Sequence, residues 1–402
     1  MANNEKRYLV GRRDEGENGL LLLGRYLALD GSSGAPVFLD ILKPHAILIC
    51  GKRGYGKSYT MGSIIEEFAL LKPSVKKNFS IIVIDTMGIY TKMSLPSDGI
   101  NEVLWPGLKP CGIDIKTFIP RKHITPENRD SSIIFEIPSR SLSAYDYCEL
   151  LGIEPVSAHG AAMMGAISRL ENFSIKSLIE EINSMDIPLE VRSTLTGLLS
   201  MVSTWELFSK DASYCPLLEP GSINIIDLSG YGHDPGIKSC IVASLSRALY
   251  DLRTRSRRFE ENGDRQCPLI WMFIDEAHMF LDSAKNTGAG HVLINEWLRQ
   301  GRQPGLSLVM ATQRPSALGK DVLSQADIII CHRLTLKDDL ESLESSRPLY
   351  VKEPVREALL RLGTSRGASI IIDDTTECCH VIRIRPRISM HGGSEPAIHD
   401  ID

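Results

Sequence analysis

The stretch Gly51, Lys52, Arg53, Gly54, Tyr55, Gly56, Lys57, Ser58 reads G-x-x-x-x-G-K-S, and it lies between the apolar run Ala46 to Cys50 and a helical pattern from Ser58 to Leu71. Nothing else in the chain constrains the fold as strongly. A strand, a glycine loop and a helix in that order begin an α/β layer with a phosphate cradle at its edge. Glycines let backbone N–H groups curl around a β-phosphate, Lys57 neutralises β and γ oxygens, Ser58 is placed to bind magnesium, and the helix start, with Tyr59 beside it, adds its positive dipole end. The dinucleotide pattern G-x-G-x-x-G, begun by Gly54 and Gly56, fails because position 59 is Tyr.

Further apolar runs without alternation follow: Ile81 to Asp85, Ile133 to Ile137, Ile223 to Asp227, Leu269 to Asp275, Leu306 to Ala311 and Ile328 to Cys331. Strands covered on both faces read this way. Helical patterns fall between several of them (Ile237 to Arg258, Gly290 to Gln300), so βαβ units and a mainly parallel sheet are expected. Residues 139–218 break the rhythm, with helical patterns at His159 to Leu170, Ser174 to Met185 and Leu189 to Phe208, and read as a bundle inserted between strands. Residues 1–45 hold short β pieces (Leu20 to Leu23, Val37 to Leu39) and read as a flap. Ser369 to Ile372 and Val381 to Arg385 read as a closing hairpin. The expected division is therefore a flap at 1–45, a core at 46–138 and 219–390, a helical insertion at 139–218 and a tail at 391–402.

Asp275 and Glu276 close the apolar run Leu269 to Ile274. Two acids at such a strand tip fit a Walker B site, in which Asp275 holds the magnesium, directly or through water, and Glu276 is the general base for the attacking water. Merely capping the next helix is the plainer alternative. Gln313, at the tip of Leu306 to Ala311, is a candidate sensor of γ-phosphate; a glutamine that only caps its turn is the rival reading. Arg299, Arg302 and Arg314 cluster in sequence around these motifs. An arginine from a neighbouring subunit can stabilise the charge of phosphoryl transfer, and Arg302 is the first candidate, Arg299 the second. Each of the three is equally readable as an exposed surface residue.

Composition sets outer bounds. With 45 basic and 50 acidic side chains in 402 residues, the net charge of -5 argues against a protein that coats nucleic acid with its whole surface, though not against local basic contacts. Nine cysteines with no CxxC pair argue against a disulfide framework or a zinc ribbon and fit a reducing cytoplasm. No basic start followed by an apolar stretch, and no apolar run of membrane-spanning length, is present, so neither secretion nor membrane insertion is expected. Cys378 and Cys379 read as inert strand packing, and His159 and Trp205 as core or interface.

Asp275-Glu-Ala-His278 spells the DEAH box of superfamily-two helicases, which use two tandem RecA-like domains with an arginine motif far beyond the box. Here Arg302 stands 26 positions after Glu276. A single-core, ring-forming ATPase fits that spacing better. Ile47 to Tyr59, Asp85-Thr-Met-Gly-Ile-Tyr90, Phe273 to His278, Gly301-Arg-Gln-Pro-Gly305, Ala311 to Ser316 and the closing Arg385-Pro-Arg387 with His391-Gly-Gly393 together resemble the HerA branch of the HerA/FtsK ATPases, in order and spacing, over roughly residues 40 to 390. The resemblance implies a RecA-like ASCE P-loop NTPase core with a helical insertion and a short N-terminal β flap, ATP and Mg2+ as cofactors, and a hexameric homo-oligomer. It also implies ATP-driven translocation of duplex DNA, a helicase-type activity, in company with a nuclease or with an effector of antiviral defence. Two departures stand out. Family members usually begin with a full β-barrel, and the acid of the family's Asp-Pro-x-Gly-Glu-Tyr is Ile89 here.

Lys92 and Arg121-Lys122-His123 are candidates for DNA contact in a ring channel. Arg253 to Arg258 is more basic but closes a long helix, where cations also favour the dipole. Two other functional classes compete with the motor. One is a nucleotide-gated scaffold that assembles and activates an effector without obligatory translocation; the other is a protein-secretion or conjugation ATPase, which the lack of a membrane anchor disfavours.

Overall fold

β-Branched and aliphatic runs build the centre of the molecule. The computed structural model describes residues 7–13, 16–28, 31–232, 235–260, 267–284, 287–346, 355–362 and 367–393. Its strands are β1 Tyr8–Val10, β2 Leu20–Leu27, β3 Ser33–Asp40, β4 Ala46–Cys50, β5 Phe79–Asp85, β6 Lys116–Pro120, β7 Ser132–Phe135, β8 Ile137–Pro138, β9 Phe208–Ser209, β10 Ile223–Asp227, β11 Leu269–Ile274, β12 Leu306–Thr312, β13 Ile328–Cys331, β14 Ala368–Asp373 and β15 Cys378–Ile384. Among the described residues thirteen of them form one sheet, in the order β1-β3-β2-β15-β14-β13-β4-β12-β11-β5-β10-β6-β7, and β8 and β9 pair separately. From β13 to β7 every neighbouring pair is parallel. All the loops that follow these strands therefore emerge along one edge. The glycine loop after β4, the acids after β11 and Gln313 after β12 are brought together there.

The β12 strand lies between β4 and β11. This inserted strand puts Gln313 beside the acidic pair instead of beyond it. Alternate residues face two apolar layers, as the strand repeat of two requires. Leu48, Ile82, Met272 and Met310 meet one layer, which runs on into the helices of the insertion through Met163, Leu178, Ile182, Leu195 and Leu199. Ile47, Ile49, Val83, Phe273 and Val309 meet the other, with Met61, Ile64, Ile65 and Phe68 of the helix Lys57–Leu70. The insertion forms the helices Ala144–Leu150, Ala158–Ser168, Ile175–Ser184 and Leu189–Ser203, and its apolar faces share the sheet's core.

Several expectations are corrected. The N-terminal strands are hydrogen-bonded into the central sheet: β2 pairs antiparallel with β15 and with β3, and both are longer than the sequence runs suggest. Ile133 and Ile134 are not covered on both faces, because β7 is the last strand of the sheet and leaves them 42% and 43% exposed. The β6 strand carries no apolar run that would announce it. Cys378 and Cys379 are exposed at the start of β15, and all nine cysteines are free thiols. Residues 1–6 and 394–402, at the ends of the expected flap and tail, lie outside the described residues.

At the C-terminus, Arg385 and Arg387 are buried against Glu66 of the helix Lys57–Leu70. Arg385 donates at 2.8 Å and Arg387 at 2.5 Å, and the backbone N–H groups of Ile388 and Ser389 bond the same carboxylate. Burial opposes ionisation of Glu66, and the two guanidiniums overcome it, holding its pKa below the usual carboxylate range. The phosphate-loop helix is thereby tied to the end of the described chain.

Candidate active site

The loop after β4 turns on glycines. Gly54 and Gly56 have φ of 79° and 113°, in the left-handed region that L side chains rarely adopt. Its back rests on the segment after β13. The Lys52 N–H donates to the Arg333 carbonyl at 2.8 Å, the Arg333 guanidinium lies 5.6 Å from the Tyr55 ring centroid, and a Cβ on Gly51 would meet His332 Cβ at 2.6 Å. His332 is fully buried. Its Nδ1 donates to the Ala368 carbonyl at 3.1 Å, which leaves Nε2 to accept from the Thr60 hydroxyl at 2.8 Å. Burial lowers its pKa to about 4, so the imidazole behind the loop is neutral. Tyr59 places its hydroxyl against the Arg387 N–H at 2.7 Å and its ring edge-on to His391. Lys52, Arg53 and Gly54 are exposed at the loop's tip.

Lys57 Nζ reaches the Lys52 carbonyl at 3.4 Å. Burial lowers its pKa, while Glu276 and Asp275 draw it back up, so the ammonium and the two acids share one electrostatic site. Ser58 Oγ donates to Asp275 Oδ2 at 2.8 Å. This hydroxyl and carboxylate are the two groups that could hold a divalent cation. Glu276 follows in a left-handed conformation, φ 51°, which costs on the order of 1–3 kcal/mol for a non-glycine residue and turns its carboxylate out of the strand direction. Gln313 Nε2 lies 3.4 Å from both Glu276 oxygens, and His278 Nδ1 lies 3.3 Å from Oε2. Burial, then Asp275, raises the Glu276 pKa, against Lys57 and Gln313. Such a carboxylate is a better proton acceptor than an exposed one. Tyr90, Asp85, His332 and Arg333 also belong to this edge, and sequence reading assigned none of them a role. The spacing of Asp85 to Tyr90 was the only signal for any of them.

The three arginines adjacent in sequence do not cluster in space. Arg314 follows Gln313 at the catalytic edge. Arg299 and Arg302 precede β12, whose seven residues separate them from it by about 20 Å. Arg299 pairs with Asp321 and Asn295. Arg302 is exposed, and its ion-pair partner is Asp327 at 3.3 Å. Neither can serve the site of its own chain. Of the basic candidates for DNA, Lys92 and Lys122 are exposed and Arg121 is paired with Glu136. Arg253 is fully buried and donates to the carbonyls of Pro304 and Cys267, so its work is structural.

Asp327 also accepts from His45 Nδ1 at 2.8 Å and from the Ala46 N–H at 2.7 Å, while Asp40, paired with Arg12, faces His45 Nε2 at 3.6 Å. Burial alone would lower the His45 pKa; Asp327 and Asp40 outweigh it and raise it to about 9. A raised pKa stabilises the fold fully below the unfolded value of 6.5 and ceases to do so as pH rises through about 9. The full difference is worth about 3 kcal/mol. Melting temperatures measured from pH 7 to 10 should therefore fall more steeply for the wild type than for His45→Gln. Parallel curves would remove the imidazolium from the account.

Among the described residues no helix is long and apolar enough to cross a membrane. Residues 22–249 match the family model for the central domain of helicase HerA, and residues 220–371 match the HerA-like helicase C-terminal model. The chain is 24% identical over 369 residues to a DNA double-strand break repair helicase HerA of Sulfolobus acidocaldarius, covering 89% of this chain and 68% of that one. To the protein of the same description from Pyrococcus furiosus it is 22% identical over 348 residues, 76% of this chain and 59% of the other. VirB4 of Thermoanaerobacter pseudethanolicus superposes with a TM-score of 0.61 at 15% identity, over 92% of this chain and 98% of that one, which is a likeness of fold. The expected RecA-like P-loop fold is thus met in its strand order and its relatives, and the chain belongs to the HerA family of ATPases.

Proposed function

We propose that this chain is an ATP-hydrolysing motor that assembles as a ring of identical copies, a hexamer by family resemblance, and drives duplex DNA through it. The observation that carries the reading is the intact acidic pair: Asp275 bonded to Ser58, and Glu276 held in a strained turn between Gln313 and Lys57. A scaffold that only had to bind nucleotide would have no use for the second acid.

In this reading Glu276 accepts a proton from water as the water oxygen bonds to the γ-phosphorus and the bond to the bridging oxygen of ADP breaks. Lys57 meets charge on the β and γ oxygens, and Gln313 orients the water or senses loss of phosphate. Ser58 and Asp275 fit Mg2+, which takes one or two hard oxygen ligands from protein and the rest from phosphates and water. When bound, the cation neutralises charge between the β- and γ-phosphates. Arg302, exposed on the opposite edge, serves the nucleotide of the next copy, with Arg299 as the second candidate. Lys92 and Lys122, on turns after β5 and β6, lie on the catalytic edge and are the proposed DNA contacts. The relatives from Sulfolobus acidocaldarius and Pyrococcus furiosus are DNA double-strand break repair helicases, which supports DNA as the track. A nuclease or defence effector as partner remains part of the proposal.

The test is the steady-state ATPase rate with and without saturating linear duplex DNA. Several-fold stimulation is expected. An unchanged rate would overturn the motor and favour the nucleotide-gated scaffold.

A further inference from the structure

Asp275 is held from three sides. Its Oδ1 accepts the Glu276 N–H at 2.9 Å, and its Oδ2 accepts both the Ser58 hydroxyl at 2.8 Å and the Tyr90 hydroxyl at 3.0 Å. The two hydroxyls differ in mobility. Ser58 is half-buried on a short side chain that can swing its proton away. Tyr90 is 1% exposed, its ring lies in the apolar layer with Met61 and Met93, and its hydroxyl is 3.1 Å from Met61 Sδ. A carboxylate attracts the phenolic proton far more than a thioether does, so the bond to Asp275 prevails.

The chain delivers this ring by a specific route. Asp85, at the end of β5, bonds through Oδ1 to the N–H groups of Met87 and Gly88 at 3.1 and 2.8 Å, and through Oδ2 to the Tyr90 N–H at 2.8 Å. Gly88 makes the reversal at φ 72°. Since Ile84 and Ile274 are register partners in adjacent parallel strands, the turn folds Tyr90 under the tip that bears Asp275. Ile89 packs against the apolar layer instead of joining the acidic pair.

We propose that Tyr90 is a positioning residue: its hydroxyl keeps the Asp275 carboxylate turned toward Ser58, in the orientation that receives a divalent cation arriving with nucleotide. The inference rests on Ser58 and Asp275 as the cation's protein ligands. Outer partners of a metal-binding carboxylate typically contribute about 10- to 100-fold in metal affinity.

The experiment is Tyr90→Phe, which keeps the ring and removes only the hydroxyl, compared with wild type and Ser58→Ala. Binding of a fluorescent non-hydrolysable ATP analogue is titrated with Mg2+ and repeated in EDTA, alongside melting curves without nucleotide. For Tyr90→Phe the affinity in EDTA stays at the wild-type value, the protein without nucleotide melts somewhat earlier, as loss of one buried hydrogen bond requires, and the Mg2+ needed for half-maximal enhancement rises about 10- to 100-fold. Wild-type Mg2+ dependence in Tyr90→Phe, with enhancement lost in Ser58→Ala, overturns the positioning role. Full enhancement in both variants, or none in the wild type, overturns the metal-ligand reading and this inference with it. A Tyr90→Phe protein whose affinity falls equally in EDTA and in Mg2+, with the Mg2+ requirement unchanged, would show the hydroxyl to be structural only and overturn the positioning role.

Discussion

Glu276→Gln binds ATP with near wild-type affinity and loses turnover by about 100- to 10,000-fold, the range for removal of a positioned general base. The amide matches the carboxylate in size, so the left-handed turn at 276 and the neighbouring Asp275, Ser58 and Lys57 stay in place; only the ability to take a proton goes. Local geometry makes the residue hard to replace. Gln313 and His278, at 3.4 and 3.3 Å, hold the carboxylate at the tip of β11, and the other acids described at that edge are committed elsewhere: Asp275 is bonded to Ser58 and Tyr90, Asp85 caps three backbone N–H groups, and Asp227 accepts from the Ser229 N–H. The measurement is the steady-state ATPase rate beside equilibrium nucleotide binding. Near-normal turnover would take Glu276 out of the base role.

Residues whose chemistry depends on their immediate neighbours were legible in the sequence. The glycine loop, Lys57, Ser58 and the Asp275-Glu276 pair announce themselves because a strand and a turn place them, and strand and turn are local structures. Most of the parallel strands were legible for a related reason: burial on both faces demands an unbroken apolar run. Illegible features depend on contacts distant in sequence. Nothing near Tyr90 shows that its hydroxyl ends on Asp275, and nothing near His332 shows that it supports the glycine loop. Arg253 looks like part of a basic surface until its guanidinium is seen filling the carbonyls of Pro304 and Cys267. The separation of Arg299 and Arg302 from Arg314 was not legible either, since a single strand carries the chain from one edge of the sheet to the other. β6 and β7 were unreadable or misread because the sheet's margin relaxes the demand for apolar side chains.

That same separation of edges yields the second large effect. Arg302→Ala should leave nucleotide binding and folding intact and lower turnover about 1,000-fold or more, as loss of an arginine finger does. An exposed side chain whose ion pair is with Asp327, on the edge far from its own glycine loop, has no means to do this within one chain. Asp327 keeps its bonds to His45 and Ala46 when the arginine is removed, so the loss is not one of stability. The central claim is that each ATPase site is completed by a neighbouring copy, and mixing two inactive proteins tests it most directly. In an assembly of Arg302→Ala and Glu276→Gln subunits, some interfaces join an intact Glu276 site to an intact Arg302 and no longer contain either defect. ATPase activity should therefore reappear on mixing and peak at intermediate ratios. Activity that stays at the level of the separate variants at every ratio, or an Arg302→Ala protein that hydrolyses ATP at the wild-type rate, would contradict the account.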